Sequence, residues 1–193
     1  MLKNIDPVLT PDLLYGLAKA GHGDVIAVVD RNYPPYAAGI PVVHLAGVDG
    51  PAAIAAICSV TPLDTFIDQP LAAMRPVGED SLPAVTTEVV AAASQAEGRQ
   101  IIPRPVERFA FYAEAKSAAL MVATGEARPY ACYLLTKGVW PSFAPDATPP
   151  GAPAVGAGDP ATSSGASPAG PGDPATSSGA SPAGSSTDAG QDR

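Results

Sequence analysis

Large apolar side chains all but run out at Phe143, and that boundary limits what the chain can fold into more than any other feature of its sequence. From there to Arg193 the residues are almost entirely Ala, Gly, Pro, Ser, Thr and Asp, and the run from Gly158 to Gly170 recurs nearly unchanged as Gly172 to Gly184. A repeat with no large apolar residue cannot stack as a solenoid, because each solenoid unit must bury a face against its neighbours. Segment 143–193 therefore reads as a disordered tail carrying a 14-residue repeat. The core has to come from residues 1–142, which suffice for one domain.

Charge narrows the partners. Of the formal net charge of -8, the part from Asp146 onward holds -4, with five Asp against one Arg, and residues 1–145 hold the other -4. Neither part has a basic stripe, which argues against nucleic acid as a partner. Met1 to Pro7 lacks the apolar stretch of a signal peptide, and Pro, Gly or charged residues interrupt every later apolar run. These features lead to the expectation of a soluble, cytoplasmic chain with no membrane partner. Cys58 and Cys132 have no CxxC spacing, so buried free thiols are expected rather than a zinc site or a disulfide framework.

Within residues 1–142 helix and strand signals alternate. Thr10-Pro11-Asp12 is a helix start, with Thr as N-cap, Pro in the first turn and Asp where the helix dipole favours an acid. Leu13, Leu14 and Leu17 follow at helical spacing, and Gly21 falls where a left-handed C-cap is expected, giving a helix over 11–20. Val25 to Val29 is a continuous apolar run, as for a strand buried on both faces. An aromatic, proline-rich loop over 32–39 leads to a strand at Val42 to Leu45, in which His44 is expected to be half-buried. Asp49 caps a helix with Pro51 at its second position and Ile54 and Ile57 inside. Further elements are a strand at 71–74, helices at 83–96 and 106–116, a strand at 120–123, a turn at Thr124-Gly125-Glu126 and a last strand at 132–135. The alternation predicts a single compact α/β domain with a mostly buried central sheet flanked by helices.

Polar groups gather at three strand ends: His22 with Asp24 and Asp30, Glu107 to Tyr112, and Tyr130-Ala131-Cys132. Ligand sites of open α/β sheets form at strand ends, so the three are candidates to converge. Imidazole changes charge near neutrality, which makes His22 a candidate acid/base. Each group also has a plainer reading: Asp24 as a turn residue, Arg108 as a solvated or ion-paired helix residue, Phe109, Phe111 and Tyr112 as core, Tyr130 as strand packing. The chain has no GxSxG elbow, phosphate loop, HExxH or GxGxxG, and no metal-ligand spacing around His22.

In order and spacing, Leu9-Thr10-Pro11-Asp12-Leu13-Leu14, Gly21-His22-Gly23-Asp24, Asp30-Arg31-Asn32-Tyr33-Pro34, Arg108-Phe109-Ala110-Phe111-Tyr112, Thr124-Gly125-Glu126 and Tyr130 to Gly138 resemble the L-fucose mutarotase and D-ribose pyranase family over about residues 1–140. The resemblance implies cofactor-independent, metal-free interconversion of sugar forms: the anomers of a pyranose such as L-fucose or, in the ribose branch, pyranose and furanose rings. It implies His22 as acid/base and Asp30, Arg108, Tyr130, Ala131 and Cys132 as the monosaccharide-binding set. Arg108 stands where the ribose branch has histidine, which leans toward the fucose branch. Homo-oligomers, rings or decamers with pockets near subunit contacts, are implied as well. Cys132 stands where the family usually has Asn, and Arg31 where it usually has a small residue. A sugar-binding, transport-accessory protein without turnover is the alternative these departures leave.

Overall fold

The computed structural model describes residues 2–140. Segment 143–193, with its repeat, lies outside the described residues. The elements are α1 (Pro11–Lys19), β1 (Val25–Val29), a 3-10 turn (Pro35–Ala38), β2 (Val42–Leu45), α2 (Gly50–Cys58), β3 (Leu71–Met74), α3 (Val85–Glu97), β4 (Arg104–Val106), α4 (Arg108–Ala115), β5 (Leu120–Thr124) and β6 (Tyr133–Thr136).

One six-stranded sheet has the order β2-β5-β1-β6-β3-β4. β1 and β2 run parallel to β5, β3 runs parallel to β4, and β6 is antiparallel to both β1 and β3. Five strands therefore share one direction, and their C-terminal ends meet the start of β6 at the same edge of the sheet. Strand periodicity divides the core. Ile26 and Val28 of β1 face one way, with Leu71, Leu120, Val122, Tyr133 and Leu135, and are covered by α1, α2 and α3. Ala27 and Val29 face the other way, with Met74, Met121 and Leu134, and are covered by Tyr33 and the Phe111 face of α4.

Local chemistry explains most boundaries. Thr10 Oγ1 accepts the Leu13 N–H at 3.3 Å, and Asp49 Oδ1 accepts the Ala52 N–H at 2.9 Å, so both predicted N-caps form. Ile54 and Ile57 are fully buried, each worth about 1.5–3 kcal/mol of apolar transfer. The helix expected from Pro83 begins at Val85, because the turn before it is closed by three-residue bonds, Thr86 N–H to the Pro83 carbonyl at 2.9 Å and Thr87 N–H to the Ala84 carbonyl at 3.1 Å, and it ends at Gly98 in the left-handed region (φ 63°).

Three expectations are corrected. Gly21 is not a left-handed cap: α1 ends on extended Ala20, and the positive φ (82°) belongs to Gly23. Lys137 serves the helix end instead, its Nζ donating to the carbonyls of Leu17 at 2.9 Å and Ala20 at 2.5 Å. His44 is exposed rather than half-buried, since β2 is an edge strand, and its Nε2 lies 2.8 Å from the Tyr36 hydroxyl. β4 has no counterpart among the predicted strands.

Candidate functional site

The common edge of the sheet carries a cavity of about 220 Å³ lined by Asp30, Asn32, Tyr33, Met74, Arg108, Tyr112, Pro129, Tyr130 and Cys132. Asp30 follows β1, Met74 ends β3, Arg108 opens α4 directly after β4, and Tyr130 and Cys132 precede the antiparallel β6. The topology thus brings residues from 30 to 132 to one opening, as expected for the C-terminal ends of parallel strands.

Asp30 is 6% exposed. Its Oδ1 accepts the backbone N–H groups of Asn32 at 2.9 Å and Tyr33 at 3.0 Å, which fixes the carboxylate over a short turn. Its Oδ2 accepts the Cys132 thiol at 3.6 Å and retains acceptor capacity. Burial first, and the Asp30 charge second, push the Cys132 thiol well above its ordinary pKa, so it stays a neutral donor. Burial likewise raises Tyr33 to about 12, with Cys132 and Tyr112 adding to the effect, and its phenol stays neutral.

Arg108 owes its place to Glu107. That side chain caps α4 by accepting the Phe109 N–H at 2.7 Å and the Ala110 N–H at 3.1 Å, which makes Arg108 the first helical residue, at the cavity rim. Its guanidinium lies 5.6 Å from the Tyr112 ring centroid and 5.8 Å from that of Phe109. Its approach to Tyr112 raises its pKa above the ordinary arginine value. Tyr130 has φ 62°, a left-handed conformation that costs a tyrosine about 1 kcal/mol or more.

The expected binding set therefore divides. Asp30, Arg108, Tyr130 and Cys132 line one cavity. Ala131 does not line it: its buried side chain packs into the core beneath α1, α2 and α3, leaving only its backbone near the opening. His22 and Asp24 sit at the other end of β1, a strand length of about 15 Å away. Asp24 Oδ2 accepts the Gly21 N–H at 2.7 Å, the plain turn role. His22 is 45% exposed at its side chain, stands 3.3 Å from the nearly buried Asp64 carboxylate through Nε2, and has its ring 5.3 Å from that of exposed Phe66. Among the described residues no cluster of three or more His, Cys, Asp or Glu side chains is arranged to hold a metal.

Asn32, Tyr33, Met74 and Pro129 were not foreseen as cavity residues. Tyr33 and Asn32 had a usable signal, since they immediately follow a carboxylate at a strand exit. Met74 had one in its place as the last residue of β3. Asp64, lying between prolines 62 and 70 without periodic neighbours, had none.

Comparison with known proteins identifies the family to which this fold belongs. The model of the RbsD / FucU transport protein family matches residues 3–140. An L-fucose mutarotase of Glaesserella parasuis is 39% identical over 142 residues, covering 73% of this chain and 97% of that protein. The solved FucU of Bifidobacterium longum superposes with a TM-score of 0.68 at 34% identity, over 72% of this chain and 99% of that one. The fucose mutarotase of Streptococcus pneumoniae, solved in complex with L-fucose, gives 0.67 at 32% identity over the same shares. This chain belongs to the RbsD / FucU family.

Proposed function

We propose that this protein is an isomerase that interconverts the anomers of L-fucose, or of an aldose closely similar to it, by acid/base catalysis with no cofactor. The observation that carries the reading is the convergence of Asp30, Arg108, Tyr130 and Cys132 on one monosaccharide-sized cavity, in a chain akin to L-fucose mutarotases. Asp30 accepts from sugar hydroxyls and Arg108 donates to them through charge-assisted hydrogen bonds. Tyr130, Tyr33 and Tyr112 offer hydroxyls and ring faces to the sugar.

Mutarotation removes the proton of the anomeric hydroxyl and delivers one to the ring oxygen. The ring C–O bond breaks, an open-chain aldehyde forms, and closure on its other face reverses both transfers. His22 is the acid/base of this reading, worth about 10²–10⁴-fold. Within one chain it stands a strand length from the cavity, so it serves the cavity of a neighbouring copy. Exposed Phe66, Ile67, Val139 and Trp140 lie on segments paired with each other near His22, and they supply apolar surface for such a contact. The protein thus works as a homo-oligomer. A cytoplasmic location fits its two buried free thiols, and among the described residues no helix is long and apolar enough to cross a membrane.

Exchange NMR of the anomeric protons of L-fucose, with D-ribose and D-galactose alongside, tests the reading. Exchange above buffer that is fastest on L-fucose and lost in His22→Ala is the expected result. Exchange on none of them, with calorimetric binding retained, would replace it with a transport-accessory role. Fastest exchange between D-ribose ring forms would move it to the ribose branch.

A further inference from the structure

Among the described non-glycine residues only Asn4 and Tyr130 take a positive φ, and Tyr130 is the one that lines the cavity. Something must hold it there. Downstream, the Tyr130 carbonyl accepts the Cys132 N–H at 2.8 Å, and the Cys132 carbonyl accepts the Met74 N–H at 2.9 Å, tying the segment to β3. Upstream, Pro129 fixes its own φ, and Arg128 is bound to Glu126 by three hydrogen bonds: backbone N–H to Oε1 at 2.9 Å, Nε to Oε1 at 2.8 Å and Nη2 to Oε2 at 2.7 Å. Arg128 Nη1 also reaches Glu88 Oε1 on α3 at 2.8 Å.

Glu126 is an anchor with little freedom. It is 2% exposed, its Oε2 accepts the Gly50 N–H at the start of α2 at 3.1 Å, and its backbone carbonyl accepts the Arg31 N–H at 3.1 Å, beside Asp30. One residue therefore joins three parts of the fold, its carboxylate reaching α2 and the segment that carries Tyr130 and its carbonyl reaching the exit of β1. The planar guanidinium matches it with two parallel bonds, a geometry an ammonium cannot reproduce.

We infer that Arg128, gripped by Glu126, is a positioning residue that holds the Tyr130 ring at the sugar cavity. The inference rests on the sugar-binding reading of that cavity. Arg128 lines no cavity described above and acts only through the segment it clamps.

The experiment compares wild type, Arg128→Lys, Tyr130→Ala and the double variant. Arg128→Lys keeps the charge and loses the fork, and it is expected to raise KM for L-fucose anomer exchange about fivefold with kcat within about twofold. In the Tyr130→Ala background the same change is expected to add nothing, because the residue it positions is gone. Amide hydrogen exchange over residues 127–132 is expected to quicken about tenfold in Arg128→Lys, with β1 and β5 unaltered. Unchanged KM in Arg128→Lys, or effects that multiply with those of Tyr130→Ala, would overturn the inference. If wild type shows no anomer exchange, the functional reading fails by itself, and the hydrogen-exchange comparison still decides the clamp: faster exchange confined to 127–132 supports it, and unaltered exchange overturns it.

Discussion

His22 Nε2 stands 3.3 Å from Asp64 Oδ1, and the same oxygen takes the Phe66 backbone N–H at 2.9 Å. A carboxylate oxygen accepts, so Nε2 carries the proton and Nδ1 is left as the nitrogen that can receive or give one. Asp64 thereby fixes both the tautomer and the ring orientation of His22. Asp64→Asn is expected to lower kcat for L-fucose anomer exchange about tenfold with KM nearly unchanged, and His22→Ala to lower it about a hundredfold or more. An unaltered kcat in Asp64→Asn would remove the orienting role.

Acid stability follows from Glu126. Hydrogen bonds from the Arg128 side chain, helped by the backbone N–H groups of Arg128 and Gly50, hold its carboxyl at about 2, against an ordinary 4.5. The folded carboxyl is the stronger acid, so the unfolded state binds more protons across that interval and stability rises with pH through it. The contribution is complete above about 4.5 and is lost as pH falls toward 2. Allowing for the partial exposure of Arg128, it amounts to about 2 kcal/mol. Denaturant titrations at pH 7 and pH 3 measure it: Glu126→Gln is expected to be less stable at pH 7 and to lose less between the two.

Gly125 separates β5 from Glu126 and passes close under the Ala46 carbonyl. A Cβ there would overlap the Ala46 oxygen and lie 2.9 Å from its carbonyl carbon, both backbone atoms that cannot rotate aside. Gly125→Ala is expected to cost about 2–3 kcal/mol in denaturant unfolding, with the strain centred on the turn before α2. At Gly47, where a Cβ meets nothing within 4 Å, the same change is expected to stay within about 0.5 kcal/mol.

Both thiols should be chemically silent in the native state. Burial raises Cys58 to about 12, with the Glu97 charge adding to it, and raises Cys132 well above the ordinary thiol range, while the thiolate is the reactive form. A thiol-labelling reagent at neutral pH is expected to count no reactive cysteine in the folded protein and two after denaturation. Rapid labelling of Cys132 in the native protein would show that its contact with Asp30 is not the resting arrangement.

How far the sequence foretold this structure depended on whether the cause of each feature was local. Thr10 and Asp49 act within three residues, so both helix starts were legible, and Val25 to Val29 is continuous because β1 is buried on both faces. Arg104-Pro105-Val106 gives no strand signal in the sequence because Pro105 removes a ladder donor, a feature only an edge strand tolerates. The end of α1 is hidden by the same limit: Gly21 is not its left-handed cap, and the helix finds its terminal partner in Lys137, more than a hundred residues away. At the site, the carboxylate, the arginine and the Tyr-Ala-Cys segment were each visible, and the parallel topology explains why they meet. His22 precedes β1 while Asp30 follows it, so their closeness in sequence becomes separation in space. Asp64 depends on tertiary pairing and left no pattern in the chain, and although Arg128 lies only two residues from Glu126, the clamp they form is anchored by tertiary bonds to Gly50 and Glu88.

The separation of His22 from Asp30 makes subunit complementation the most direct test. Neither His22→Ala nor Arg108→Ala should catalyse L-fucose anomer exchange alone, since one lacks the proposed acid/base and the other a complete cavity. Co-expressed with different tags and purified as mixed assemblies, the two should recover about a quarter of wild-type activity, the fraction of contacts that join an intact cavity to an intact histidine. Activity in the mixed assemblies no higher than in the separate variants would contradict the account.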